Sequence, residues 1–217
     1  MRNLLVFGAL VAASATAPAF AQDVTVTGNV TLVSDYQWRN VTQSNYDATI
    51  QGGIDLTTSS GFYVGTWASG VDFENGPDDT NLEVDLYGGY RFDLGGVGAD
   101  VGVIYYAYPD SEGSDINFYE VYGKLSKTFD AVTLGGSFNW DPDNETTFVD
   151  ASVGYAVTPE FSLSAGYGKY LEGAGEYAGW NAGASWAVGG VTLGARYYDN
   201  DITGSDDGYV FSIGRAM

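Results

Sequence analysis

Apolar and polar residues alternate one by one through most of this chain. Val24, Val26, Val30, Leu32, Tyr36 and Trp38 hold even positions, and Thr25, Thr27, Asn29, Thr31, Asp35, Gln37 and Arg39 the odd ones. Tyr46, Ala48, Ile50, Ile54 and Leu56 alternate in the same way with Asp47, Thr49, Gln51, Asp55 and Thr57. Leu82, Val84, Leu86, Tyr90, Phe92 and Leu94 do so with Glu83, Asp85, Arg91 and Asp93. Successive strand side chains point to opposite faces, so each run reads as a strand with one apolar and one polar face. Weaker runs fall at about 62–73, 97–108, 116–129, 132–140, 146–157, 161–170, 177–188, 191–199 and 208–217. That makes about twelve strands, each near the length a tilted membrane-spanning strand needs.

The connections carry a second pattern. Thr57–Gly61, Gly95-Gly96, Asp130-Ala131, Thr158–Glu160 and Gly189-Gly190 are short and turn-like. Between them fall the longer polar stretches Arg39–Asn45, Glu74–Thr80, Pro109–Asp115, Asp141–Glu145, Leu171–Glu176 and Asn200–Asp207. Strict alternation of long and short connections is expected of a barrel that crosses a membrane with both ends on one side. The expected fold class is therefore all-β, an antiparallel up-and-down transmembrane β-barrel of about 12 strands following a cleaved signal peptide.

Met1 to Ala21 supplies that leader. Arg2 gives a positive start, Leu4 to Ala13 an apolar core, and Ala19-Phe20-Ala21 a small-x-small cleavage site. Cleavage between Ala21 and Gln22 leaves residues 22–217 as the barrel domain. The alternative, an N-terminal membrane anchor, is disfavoured by the short apolar run. After Ala21 nothing resembles the roughly 18-residue apolar run of a spanning helix.

Two architectures use half-polar strands. A soluble sandwich turns its apolar face inward, whereas a membrane barrel turns it to lipid and encloses a polar lumen. Aromatic residues near strand ends favour the barrel, because amphipathic rings gather at headgroup depth. The expected outer rim is Trp38, Tyr46, Trp140, Trp180 and Tyr197, and the inner rim Phe92, Phe129, Phe161, Trp186 and Tyr209. Glycines such as Gly98, Gly102, Gly135, Gly154, Gly183 and Gly194 are expected to leave room inside. Lys127, Lys169 and Arg215 fall on the nominal apolar face near strand ends, where their stems could snorkel to headgroups or lipopolysaccharide phosphates, unless a bulge shifts the register.

The polar faces then line the lumen. The candidate inward residues are Asp35, Gln37, Arg39, Asp47, Gln51, Asp55, Glu83, Asp85, Arg91, Asp100, Glu120, Tyr122, Lys124, Asn139, Asp150 and Arg196. Acids outnumber bases among them, which predicts a weak preference for cations. Paired Arg and carboxylate side chains could instead cross-link and plug the interior.

The whole chain has 8 Lys and Arg against 28 Asp and Glu, a formal net charge of −20. Such a surface is a poor match for nucleic acid. There is no Cys and no His, so disulfides, Cys/His zinc sites and His-dependent nucleophiles are excluded. Carboxylate pairs such as Glu83 and Asp85, two residues apart on one face, remain for acid–base chemistry but lack a partner group, and no enzyme is expected. No cofactor and no metal site is expected either. Asp141-x-Asp143-x-Glu145 has a spacing suggestive of Ca²⁺ binding but lacks the Gly and distal Glu of a calcium-binding loop, so a solvated acidic face is the expectation there.

Ser34 to Phe73 (SDYQWRNVTQSNYDATIQGGIDLTTSSGFYVGTWASGVDF), Glu83 to Pro109 and Asn117 to Ser126 resemble the TorF-type porin family of bacterial outer-membrane β-barrel proteins. The resemblance covers roughly the first half of the mature chain; the second half shares only the alternation of Gly and aromatic residues. It implies a barrel in the outer membrane of a Gram-negative bacterium and a channel function, with no site residues to carry over. The expected partners are outer-membrane lipid, lipopolysaccharide, the barrel-assembly machinery and small solutes or cations. The competing expectation is a non-conducting structural or ligand-binding barrel with acidic surface loops.

Overall fold

The computed structural model describes residues 24–73, 80–109, 111, 116–172 and 175–217. The leader and its cleavage site, Ala21–Gln22, lie outside them. Twelve antiparallel strands close into a barrel: β1 (Val24–Val33), β4 (Thr49–Thr58), β5 (Phe62–Gly70), β6 (Leu82–Asp93), β7 (Gly98–Ala107), β8 (Phe118–Phe129), β9 (Val132–Asp141), β10 (Thr146–Ala156), β11 (Phe161–Glu172), β12 (Ala178–Val188), β13 (Val191–Asn200) and β14 (Gly208–Ala216). Each pairs with its neighbour in sequence, and β1 closes the ring against β14 from Asn29↔Ala216 to Val33↔Ser212. The seam is completed by Gly28 N donating to Met217 O at 3.0 Å and Met217 N to Gly28 O at 2.8 Å. Every strand is paired on both sides, the condition for a sheet to sit in hydrocarbon, and at the seam only the start of β1, Val24–Thr27, extends past the end of β14.

The alternation has the predicted sense. Ile50, Leu86, Leu125 and Phe211 are 63%, 55%, 54% and 60% exposed, whereas Glu83 and Glu120 are 2% exposed. A water-soluble fold shows the reverse, so the apolar band is the outer wall. Lys127, Lys169 and Arg215 do point outward, in register with Leu134, Ala178 and Val30. The Lys127 ammonium lies 5.2 Å from the Phe129 ring centre.

One segment departs from the expected architecture. The first strand ends at Val33 rather than running on to Arg39. Ser34 N donates to Phe211 O, and the Ser34 hydroxyl accepts the Phe211 N–H at 2.9 Å, so a side chain ends the ladder where the backbone leaves the wall. The chain then turns into the barrel and forms a miniature hairpin, β2 (Gln37–Trp38) and β3 (Val41–Thr42). Its two-residue turn places Arg39 at φ 52° and Asn40 at φ 67°. Positive φ at both central residues is the turn that matches strand twist, and Asn adopts it at little cost. We call residues 35–44 the strap.

The apolar core of the molecule sits around this strap, at the end carrying the long connections. Tyr36, Val71, Tyr106 and Tyr108 are buried together, with Trp38, Trp67, Ile104 and Phe118 packed against them.

Candidate functional site: the lumen and its strap

The strap is tied to nearly every side of the interior. At its base, Asp35 accepts from Thr42 Oγ1 at 2.6 Å and Ser44 Oγ at 3.0 Å on Oδ1, and from the Gln37 amide on Oδ2. Tyr36 leans edge-on to Trp67 of β5, and its hydroxyl donates to Glu83 Oε1 of β6 at 2.8 Å. Tyr108 donates to the other oxygen of Glu83 at 2.9 Å. Burial, reinforced by Glu83, pushes the Tyr36 and Tyr108 phenols up, so both remain donors. Trp38 packs edge-on to Tyr106 and Phe118 of β7 and β8.

Arg39, at the hairpin tip, reaches furthest. Its Nη2 donates to Glu120 Oε1 and Oε2 at 2.6 and 2.7 Å, and its Nη1 to Tyr170 Oη at 2.7 Å. The guanidinium lies 4.2 Å from the Trp38 ring centre and 4.4 Å from that of Phe148, a sandwich that favours a weakly hydrated planar cation. Both partners of this ion pair are buried, at 8% and 2% exposure. Burial works against the Arg39 charge, but Glu120, Tyr170 and Tyr106 together more than offset it, and the pKa stands above its usual value. Beside it, Asn40 accepts from Asn181 Nδ2 of β12 and from Asn200 Nδ2 of β13, both at 2.7 Å. Tyr177 donates to the Arg39 carbonyl at 3.2 Å.

Nearer the short-turn end the wall is cross-braced. Arg91 pairs with Asp100 at 3.2 Å and lies 3.9 Å over the Tyr63 ring. Tyr63 donates to Asp100 at 2.6 Å and touches the Tyr122 hydroxyl, while Tyr87 donates to Asp55 at 2.8 Å. Lys124 stands over Tyr122, and Asp150 bonds Ser137, which also accepts from Asn139 at 2.8 Å. Arg196 donates to Asn181 and Ser164, both neutral.

The sequence-predicted lumen residues therefore divide three ways. By register and bonding, Gln51, Asp55, Glu83, Asp85, Arg91, Asp100, Glu120, Tyr122, Lys124, Asn139, Asp150 and Arg196 belong to the inner wall. Asp35, Gln37 and Arg39 lie inside the barrel, but on the strap instead of the wall. Asp47 is a correction: it is exposed in the connection leading to β4, which begins at Thr49.

Two rim assignments also change. Trp38 faces the interior, because the strap has left the wall before it. Tyr209 sits at the long-connection end, since β14 enters from the 201–207 connection; it pairs with Tyr197 and extends the row Trp180–Tyr197–Tyr209, with ring centres 5.3 and 5.0 Å apart. Trp140 and the exposed Tyr46 lie at that same end. Phe92, Phe129, Phe161 and Trp186 lie at the short-turn end, the last two paired directly.

Some of the inward glycine positions are filled rather than empty. A Cβ at Gly65, Gly89, Gly102 or Gly168 would run into the ring of Tyr87, Tyr63, Tyr122 or Phe148. Each bare strand position is a seat for an aromatic ring from the adjacent strand. Tyr87, Tyr63 and Tyr122 stand directly opposite Gly65, Gly89 and Gly102, and Phe148 is diagonal to Gly168, so Tyr or Phe across from Gly on a neighbouring polar face is the signal that finds them. In the loops, the Asp141 carboxylate accepts from Asp143 N, Asn144 N and Asn144 Nδ2 at 2.7–3.0 Å, so its own turn satisfies it. Glu74, Asp78, Asp79, Asp110, Glu112 and Asp115 lie outside the described residues, among which no cluster of three metal-ligating side chains occurs.

A family model described as a bacterial protein of unknown function, Gcw_chp, matches residues 15–212. The chain belongs to this family. The TorF-type label is not the one that the matching model carries. No curated protein matches the chain. Among solved structures, the KdgM porin aligns with a TM-score of 0.63 and 9% identity over 88% of this chain and 97% of its own. The NanC porin aligns at 0.58 and 11% identity, covering 87% and 98%. An outer membrane channel from Pseudomonas putida F1 aligns at 0.52 and 13% identity, covering 92% and 97%. At such identities the likeness establishes a shared porin-like barrel fold.

Proposed function

We propose that the protein is an outer-membrane channel through which small solutes diffuse passively, with the short turns in the periplasm and the long connections outside. The observation that carries this reading is the inside-out barrel: an apolar outer wall closed around an interior lined with carboxylates, guanidinium groups and hydroxyls. A barrel serving only as an anchor has no need of such a lining. Acids outnumber bases on the inner wall, which supports a weak preference for cations in a narrow channel. The strap sets the narrowest section. Aromatic rows at both ends suit contact with lipid headgroups, and the long-connection end would face lipopolysaccharide.

A second reading is favoured by one observation. The strap is anchored to β5, β6, β7, β8, β11, β12 and β13, as a closed, non-conducting barrel would require. Single-channel recording in planar bilayers, with reversal potentials in a KCl gradient, separates the two. Conductance steps with a modest cation preference are expected. A membrane that stays silent with correctly inserted protein, or one that prefers chloride, rejects the channel as described.

A further inference from the structure

Beneath the strap, against the wall of β1, β4, β12, β13 and β14, lies a half-enclosed cavity of about 180 Å³. It is well above the roughly 10–15 Å³ one water molecule requires and below the roughly 300 Å³ at which drug-sized sites begin. That size suits a solute of a few non-hydrogen atoms.

Its charged lining is of opposite sign on two sides. Asp35 and Gln37 of the strap form one side, and Arg196 of β13 the other, with Val33 and Val210 supplying apolar surface. Tyr198 also lines it, within electrostatic reach of both Asp35 and Arg196. Arg196 is unlike the other interior guanidinium groups. Arg39 and Arg91 each hold a carboxylate, whereas among the described residues the hydrogen bonds of Arg196 go to the neutral Asn181 and Ser164. Those two bonds use two of its five N–H donors. Asp35 receives three donors at its two oxygens, which can accept about four, so one acceptor position remains on Oδ2.

We infer that this cavity is a subsite for a small zwitterionic solute of the α-amino acid class, its carboxylate on Arg196 and its ammonium toward Asp35. The inference rests on the channel reading and names its solute class. A simple anion would satisfy Arg196 but has to enter a lumen of net negative charge. A simple cation would enter readily but meets Arg196. A zwitterion carries no net charge through the lumen and presents both signs to the cavity. The strap supplies one side of the site, so solute bound here bridges it to the wall.

The test uses the full mature chain, folded in detergent, and calorimetric titration with three probes of similar size: L-alanine, propionate and ethylamine. Saturable binding of L-alanine is expected, at least tenfold tighter than either probe bearing a single charge. Arg196→Gln should weaken L-alanine at least tenfold and leave ethylamine unchanged. Asp35→Asn should weaken L-alanine and leave propionate unchanged; if that variant fails to fold, Arg196→Gln alone decides. Equal binding of propionate and L-alanine, no saturable binding at all, or an Arg196→Gln variant that binds as the wild type overturns the subsite. Bilayer recordings on the same preparation keep the two readings apart. Conductance without L-alanine binding removes the subsite and leaves the channel, whereas binding without conductance removes the channel and leaves the subsite.

Discussion

Arg39 shows what one residue can do when the fold takes it out of water. As a strand residue it would be one polar side chain among many. At the tip of a hairpin inside the barrel it fastens the strap to Glu120 and Tyr170 between two aromatic rings. Removing one partner of a buried pair strands the other charge, at a cost of about 3–5 kcal/mol. Arg39→Ala should therefore lower the urea midpoint of the barrel in lipid vesicles, and Arg39→Met combined with Glu120→Gln should recover much of the loss. Additive losses would show that the pair is not coupled. A second prediction concerns ring seats. Gly168→Val forces Phe148 from its place beside Arg39, at about 1–3 kcal/mol for overpacking. Gly123→Ala, with nothing within 4 Å of the added Cβ, should be close to neutral in the same denaturation assay. The Gly168 seat was not legible from alternation, because a glycine and the ring lying on it belong to different strands and their registry is set only when the strands pair.

At the scale of elements, the twelve wall strands and the order of long and short connections could be read from period and punctuation alone. The strap could not, and the reason is physical. Tyr36 and Trp38 keep the period of two with Asp35 and Gln37, because residues 37–38 are indeed a strand, but one belonging to a different sheet. Alternation reports the local conformation and is blind to which partner the strand has chosen. The wall does not depend on that partner. β1 and β4 are already in register through Val33↔Thr49, so a short hairpin would join them. Replacing residues 35–47 by Asn-Gly, a dipeptide suited to a two-residue turn, should preserve the heat-modifiable mobility of the folded barrel on gels and raise single-channel conductance several-fold. A folded variant whose conductance matches that of the full chain would mean that the strap does not narrow the path.

The molecule as a whole inverts the usual order of a folded chain. Among the described residues its largest fully buried side chains are Glu83 and Glu120, while Leu, Ile, Val and Phe stand exposed on the outer wall. Hydrocarbon outside takes the place of a core, and the interior is held by bonds between polar groups, so charge is concentrated where a solute would pass. That inversion was visible in the sequence as an acidic chain whose carboxylates alternate with apolar residues. Which carboxylates are satisfied by neighbours was not, since Glu120 meets Arg39 from 81 positions away. The unbalanced remainder should act through its field, and a field in water is screened over about 10 Å at 0.1 M salt and 3 Å at 1 M. Cation preference, read as reversal potential under a fixed tenfold KCl gradient, is therefore expected to be clear when the gradient is centred near 0.1 M and to shrink when it is centred near 1 M. Asp55→Asn and Asp150→Asn together should reduce it further at the lower salt. A preference that ignores both salt and these substitutions would place its origin in the width of the passage, and the carboxylates of the wall would then be structural braces alone.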